Sequence, residues 1–129
     1  MAEDPEIRRT LERYADAWRA GDFAAMTACY ADDFVLHYGG RNALSGDHLG
    51  KAEAVRVLVE FTRRTGRRLV AIVDVLAGGA GRGSIIAREA FGDAEVERVL
   101  VYRVAEGRLA ECWVLDADQP LIDRLVGEA

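Results

Sequence analysis

The sequence predicts an α+β domain. Three helices in the N-terminal half lie against a curved, mostly antiparallel sheet to form a cone, and a short helix follows at the C-terminus. Three observations predict this. Ile7, Leu11, Tyr14, Ala15 and Trp18 recur at helical spacing, and a second helical pattern follows before residue 66. From Leu69 onward the pattern changes to alternation or to continuous apolar runs, which belong to strands. The breakers Gly21, Gly66, Gly92-Asp93 and Glu106-Gly107 fall between these segments. Helices first and strands afterwards make α+β rather than an alternating fold. Residues 1–129 read as one domain, long enough for a core of its own and without repeat, linker or low-complexity stretch.

Each element has a local reason. Asp4-Pro5 opens the first helix, with a carboxylate at the N-cap and proline at the first helical position. Its apolar stripe faces inward, while Arg8, Arg9, Glu12, Arg13, Asp16 and Arg19 cover the wet side. Gly21 ends it, and Asp22 caps a short second helix through about Cys29 that carries Phe23, Met26 and Tyr30. Phe34-Val-Leu-His-Tyr38 has β-propensity and reads as a strand, stopped or kinked by Gly39-Gly40. Gly46, Asp47, His48 and Gly50 read as a loop into a third helix over Lys51 to Thr65. Its inward residues are expected at Val55, Leu58, Val59 and Thr62, and Gly66 closes it. Four strands follow, Leu69 to Ala77, Ser84 to Phe91, Glu95 to Val104 and Arg108 to Leu115, with hairpin turns at 92–93 and 106–107. Gly78-Gly-Ala-Gly-Arg-Gly83 reads as a flexible turn, since it lacks the spacing and the following helix of a phosphate loop. A last helix after Asp118-Gln-Pro120 turns Leu121, Ile122 and Leu125 inward.

Composition narrows the function classes. Half of the residues are hydrophobic and 30% are charged, an ordinary globular balance. The net charge of -5 argues against nucleic acid as a partner, because a phosphate backbone calls for a basic surface. No run approaches the roughly 18 apolar residues of a membrane span. The polar, acidic start is the reverse of a secretory signal, so the expected location is the cytoplasm. There Cys29 and Cys112 are expected reduced and buried. Two cysteines and two histidines without ligand spacing predict no metal site, and no cofactor motif is present.

The segments Tyr30-Ala-Asp-Asp-Phe34, Leu36-His-Tyr-Gly-Gly-Arg-Asn-Ala-Leu-Ser-Gly-Asp-His-Leu-Gly50 and Gly107-Arg-Leu-Ala-Glu-Cys-Trp113, followed by Asp118-Gln119, carry a resemblance over nearly the whole chain. In this order of elements the chain resembles the SnoaL-like branch of the nuclear transport factor 2-like superfamily. The resemblance implies a cone with an apolar lumen that takes a small molecule. That superfamily includes polyketide cyclases, ketosteroid isomerases, limonene-epoxide hydrolases, scytalone dehydratases and members that only bind or dimerise, so the shared fold does not carry the chemistry. The isomerase pattern wants a tyrosine donor on the first helix, a carboxylate base on the first strand and a protonated acid on a late strand. Tyr14 matches the donor, but Tyr38 stands at the base position and Leu100 at the acid position. The epoxide-hydrolase pattern of Arg-x-Asp plus a second Asp meets Ala87-Arg-Glu-Ala90, with Cys112 and Val114 on the last strand. The acid-base group of the cyclase branch leaves His37 and Asp116.

The candidate catalytic residues are therefore His37, Tyr14 and Asp116, and the candidate pocket residues are Trp18, Phe34, Tyr38, Arg88, Arg98, Leu100 and Cys112. Each has a plainer reading. Tyr14 and Trp18 can be core, although a buried phenol wants a partner for its hydroxyl. His37 can serve as acid or base near neutral pH, or simply face solvent. Strand alternation allows only one of His37 and Tyr38 into the cup unless the following glycines make a bulge. Asp116 either caps the last helix or orients His37. Arg88 and Arg98 either pair with Glu97 and Glu89 across strands on a wet face, or place a guanidinium in the cup to hold an oxyanion. Asp47 and His48 read as loop residues at the start of the third helix. Val99, Val101 and Trp113 are expected to form an apolar patch on the outer face of the sheet, which predicts a homodimer. The expected ligand is an apolar, oxygenated molecule such as a polyketide or terpenoid intermediate, handled by acid-base catalysis without a cofactor. The alternative is a non-catalytic ligand-binding or dimerisation module.

Overall fold

Asp4 accepts a hydrogen bond from the Glu6 amide and starts the first helix of the computed structural model, which describes residues 4–128. In chain order the elements are α1 (Pro5–Arg19), α2 (Phe23–Ala28), β1 (Tyr30–Tyr38), β2 (Gly46–Leu49), α3 (Lys51–Thr65), β3 (Arg68–Ala77), β4 (Arg82–Phe91), β5 (Ala94–Ala105), β6 (Arg108–Asp116) and α4 (Gln119–Val126). The expected caps are in place: Asp22 accepts from the Ala25 amide, Gly66 ends α3 in the left-handed conformation, and Asp118 accepts from the Leu121 amide.

The six strands form one sheet in the order β2-β1-β6-β5-β4-β3. Every pairing is antiparallel except β1 with β6, which run parallel and join the N-terminal half to the last strand. Register shifts interrupt β3 against β4 between Leu69 and Ala71 and again between Ile72 and Asp74. Others fall between Arg103 and Val104 and between Tyr30 and Val35. Such bulges bend a strand and increase its twist, and here they curve the sheet around α1 and α3. The core between them contains Ile7, Leu11, Phe34, Leu36, Val57, Phe61, Ile85 and Leu109, each at most 2% exposed. Gly83 lies where α1 crosses β4: a Cβ there would stand 2.5 Å from Leu11 Cδ1 and 2.7 Å from the Leu76 carbonyl oxygen. The glycine-rich turn thus gives up its last glycine to a strand.

Three expectations need correction. The first strand begins at Tyr30, not Phe34. Tyr30 pairs with Leu109, and exposed Asp32-Asp33, poor strand formers, disguise the continuity. The segment at Gly46–Leu49 is an edge strand rather than a loop, created by pairing of Val35 to Tyr38 with Leu49 to Gly46. In α3 the inward row is Ala54, Val57 and Phe61. Val55 and Leu58 are half-buried, while Val59 (50% exposed) and Thr62 are exposed at the edge of an open cleft. This helix carries more apolar residues than one stripe holds, and the row with the small alanine is the one that fits the sheet.

Candidate functional site

Strand alternation decides what the cone contains. On β1 the buried positions are Tyr30, Phe34, Leu36 and Tyr38; on β5 they are Arg98, Leu100, Tyr102 and Val104; on β6 they include Cys112 and Val114. Together with α1 and α3 they surround two adjoining spaces. The inner one is a chamber of about 30 Å³ bordered by Tyr14, Tyr38, Arg67, Arg98, Leu100 and Cys112. That is room for about one water molecule. The outer one is an open cleft of about 500 Å³, bordered also by Phe23 and Glu89, with Tyr14, Trp18, Met26, Tyr30, Leu58 and Arg67 common to both spaces. Its volume is within the range of about 300–1,000 Å³ usual for small-molecule sites.

Two polar groupings interrupt this apolar lining. The first is phenolic. The hydroxyls of Tyr14 and Tyr30 are 2.6 Å apart, and the Tyr102 ring packs edge-on to Tyr14 at 5.7 Å. Burial pushes the Tyr14 phenol up to about 12, only partly offset by the bond to Tyr30, and it raises Tyr30 and Tyr102 well above the ordinary tyrosine value. These groups are protonated hydrogen-bond donors at neutral pH. Burial likewise pushes the Cys112 thiol up to about 12, which makes it a thiol and not a thiolate nucleophile.

The second grouping is ionic and is centred on Arg98, which is 1% exposed. Its Nε donates to Asp116 Oδ1 at 2.5 Å, Nη2 to Asp116 Oδ2 at 3.2 Å and to the Tyr38 hydroxyl at 2.9 Å, and Nη1 to Glu89 Oε1 at 3.1 Å. The guanidinium also lies over the Phe61 ring at 4.5 Å. Burial opposes its charge, but the oxygens of Tyr38, Asp116 and Glu89 outweigh burial and hold Arg98 protonated. Burial also raises the Tyr38 phenol to about 12. Arg67, the first residue after Gly66, donates from Nε to Thr62 Oγ1 at 2.9 Å and places Nη1 3.7 Å from Glu89 Oε1. Glu89 Oε2 has no hydrogen-bond partner, the one such buried side-chain oxygen or nitrogen among the described residues.

Seven of the residues expected in the pocket, Tyr14, Trp18, Phe34, Tyr38, Arg98, Leu100 and Cys112, line the inner chamber. His37 does not. Its ring lies on the opposite face of the sheet, because alternation that buries Leu36 and Tyr38 turns residue 37 outward. There it stacks on Trp113 with ring centres 5.2 Å apart, bonds Asp47 through Nδ1 at 2.7 Å, and makes a short contact through Nε2 with Glu111. Asp116 neither caps α4, which is the work of Asp118, nor touches His37; it holds Arg98. The two arginines divide: Arg88 pairs with Glu97 at 3.2 Å on the exposed face, and Arg98 turns inward. His48, on β2, donates from Nε2 to the Leu44 carbonyl oxygen at 2.7 Å. The sequence reading missed Arg67, Tyr30, Tyr102 and the inward carboxylate of Glu89. Glu89 had a signal, since it is in step with Ala87 on the buried side of β4; Arg67, directly after a helix-ending glycine, had none.

The family model for the SnoaL-like domain matches residues 11–112. No protein of curated function matches the chain. Among solved structures, a cystatin-like-fold protein from Xanthomonas campestris superposes with a TM-score of 0.86 at 20% identity, covering 95% of this chain and 98% of that one. Bal32a, from a soil-derived mobile gene cassette, superposes at 0.80 with 23% identity over 94% and 96% of the two chains. TerC, co-crystallised with polyporic acid, superposes at 0.78 with 15% identity over 94% and 98%. Further matches are named as NTF2-like proteins and, provisionally, as a ketosteroid isomerase and a polyketide cyclase. At these identities the superpositions speak for the fold alone, whereas the family match spans most of the chain: this protein belongs to the SnoaL-like domain family, with the NTF2-like fold.

Proposed function

We propose that this protein binds an apolar, oxygen-bearing small molecule of the polyketide or terpenoid kind in the cleft of its cone and moves a proton on it by acid-base catalysis, without a cofactor. The observation that carries the reading is an apolar cleft whose inner end holds protonated phenols and a buried guanidinium-carboxylate network. Groups of this kind, fixed before the ligand arrives, stabilise charge that develops on a ligand oxygen. Tyr14, backed by Tyr30, is the neutral donor to that oxygen. Asp116 is a positioning residue that acts through Arg98, and Trp18, Phe34, Leu100 and Cys112 shape the wall. TerC, of the same fold and crystallised with polyporic acid, supports the use of such a cone for an organic ligand.

A second reading, a binding module without catalysis, is favoured by Tyr38 and Leu100, which occupy positions where the isomerase pattern has acids. Native mass spectrometry against a panel of apolar ketones and phenols, followed by product analysis, separates the two. Conversion that falls about 10²-fold in Tyr14→Phe supports the enzyme; a bound compound recovered unchanged supports the binder.

We also propose a homodimer formed through the outer face of the sheet, in the cytoplasm. Val99 lies opposite Leu115 and Val101 opposite Trp113 on that face, and Leu115 is 56% exposed. No helix among the described residues is long and apolar enough to cross a membrane. Light scattering on the eluting protein should give twice the chain mass, and Leu115→Glu should shift it to one.

A further inference from the structure

We propose that Arg67 docks an anion in the cleft, so that the ligand is a flat apolar acid that sets its carboxylate on this guanidinium. This names the ligand class of the cleft and rests on the small-molecule reading above.

Arg67 stands apart from the other charged groups of the lumen. Gly66, in the left-handed conformation, turns the chain at the end of α3, and the next side chain borders both the inner chamber and the cleft. The Arg67 side chain is 18% exposed, against 2% for that of Arg98 and 1% for that of Glu89, so it is the ionic group a molecule in the cleft can reach. Arg98 has a partner at every nitrogen. Among the described residues Arg67 makes one hydrogen bond, from Nε to Thr62 Oγ1, and its guanidinium lies over the Phe61 ring at 5.0 Å. Those two contacts hold its plane in position. The carboxylate oxygen beside it, Glu89 Oε1, is 3.7 Å from Nη1, beyond a hydrogen bond, and already accepts from Arg98. The terminal N–H groups of Arg67 are left for a ligand.

Charge decides which kind of oxygen they take. Arg63 and Arg67 both border the cleft, against Glu89 alone. Glu89 does not present its charge there: Oε1 is held by Arg98, and Oε2 is sealed within the protein. Arg63 shares Glu60 with Arg64, so this trio at the end of α3 carries more positive than negative charge. In a chain of net charge -5, the opening is cationic. Low-dielectric walls strengthen the pull of such a site on an anion, and the planar guanidinium fork matches the two oxygens of a carboxylate. The walls of Trp18, Phe23, Met26 and Leu58 suit a flat apolar body. That body stays in the cleft, since the inner chamber has room for about one water molecule.

The test is calorimetric titration of the full chain at pH 7 with 2-naphthoate and with 2-naphthamide, a pair of nearly equal shape that differs in charge. The acid is expected to bind about tenfold or more tighter than the amide. Arg67→Gln should weaken the acid by about tenfold or more and leave the amide within about threefold. A residue that served only as counter-ion to Glu89 would lower stability when removed but leave the choice between acid and amide unchanged. Should Arg67→Gln fail to fold by circular dichroism, Arg67→Lys keeps the charge beside Glu89 but lacks the fork, and the acid should lose about threefold or more. Equal binding of the two compounds, tighter binding of the amide, or an acid preference that survives intact in the folded variant overturns the proposal and leaves the cleft reading standing. If neither compound binds, the acid class is overturned, and the broader reading falls with it only if the panel of ketones and phenols also fails.

Discussion

A guanidinium that is 1% exposed persists because its surroundings answer it: two carboxylates, a phenol and an aromatic face. Removing it is expected to hurt far more than the pair is worth, since Glu89 and Asp116 would be left buried with reduced compensation. Arg98→Met should lower stability by about 3–5 kcal/mol in urea unfolding. Arg88→Ala, one strand away, breaks a pair whose side chains are 47% and 44% exposed. That loss should stay below about 1 kcal/mol. The same measurement separates the two arginines that the sequence could not. A third residue-level expectation concerns thiols. Cys29 and Cys112 are free and buried, and burial holds Cys112 far from its thiolate. Neither should react with Ellman's reagent until denaturant is added. At this scale identity was legible and direction was not. Tyr14, Tyr38 and Arg98 stood out as chemistry-bearing residues, but which of His37 and Tyr38 faces inward depends on the strand's absolute phase, and a period of two has two equivalent phases.

Among the elements, the edge strand β2 is held by side chains as much as by its short ladder. His37 on β1 reaches Asp47 on β2 and Glu111 on β6, while Arg103 Nε donates to Glu111 at 3.0 Å. Partial burial pulls the His37 pKa down, but its two carboxylate partners outweigh this and leave it raised. Its contribution to stability is therefore complete below the unfolded value of about 6.5 and is lost as pH rises through the higher folded value. Glu111 is lowered chiefly by the bond to His37, so its contribution is present above the ordinary glutamate value and is lost as pH falls through the depressed one. The tie should be strongest in the mildly acidic window between the two unfolded values. The urea midpoint of the wild-type protein should peak there relative to His37→Gln, whose profile should lose the slope above neutral pH and keep part of the acid-side one, because Arg103 still holds Glu111 down. Gly83 tests packing between elements. A methyl group at this position meets the Leu76 backbone and the Leu11 side chain, so Gly83→Ala should cost about 1–3 kcal/mol and lower the melting temperature. The helices, with their caps and glycine stops, were legible to within a residue or two. A four-residue strand was not, because it exists only through its partner.

The whole molecule is closed by its ends. The parallel pairing of β1 with β6 brings the first strand to the last, and α4 then packs against α3 and β6. Ile122 and Val126 are buried there, Asp123 accepts from the Arg41 amide and the Asn42 side chain, and Arg64 donates to the Val126 carbonyl oxygen at 2.9 Å. Truncation after Ala117 should cost about 3–6 kcal/mol from the two apolar side chains alone, at about 1.5–3 kcal/mol each. Calorimetry of the shortened chain checks this. The cone depends on closure in a further sense: Tyr14 and Tyr30 in the N-terminal half line the same inner chamber as Arg98 and Cys112 near the C-terminus, so the site does not exist in any one segment.

The sequence by itself determined the fold class, the caps, the hairpins and a polar set within an apolar lumen, because these follow from periodicity, from turn chemistry and from the cost of burying unmatched groups. Only the tertiary structure decided that β1 runs beside β6, that Tyr38 and not His37 looks inward, that Asp116 grips Arg98, and that Glu89 is left with a vacant oxygen. Those outcomes depend on the register and phase of strands distant in the chain. A shift of one residue would exchange the two faces of the sheet while leaving every local propensity as it is.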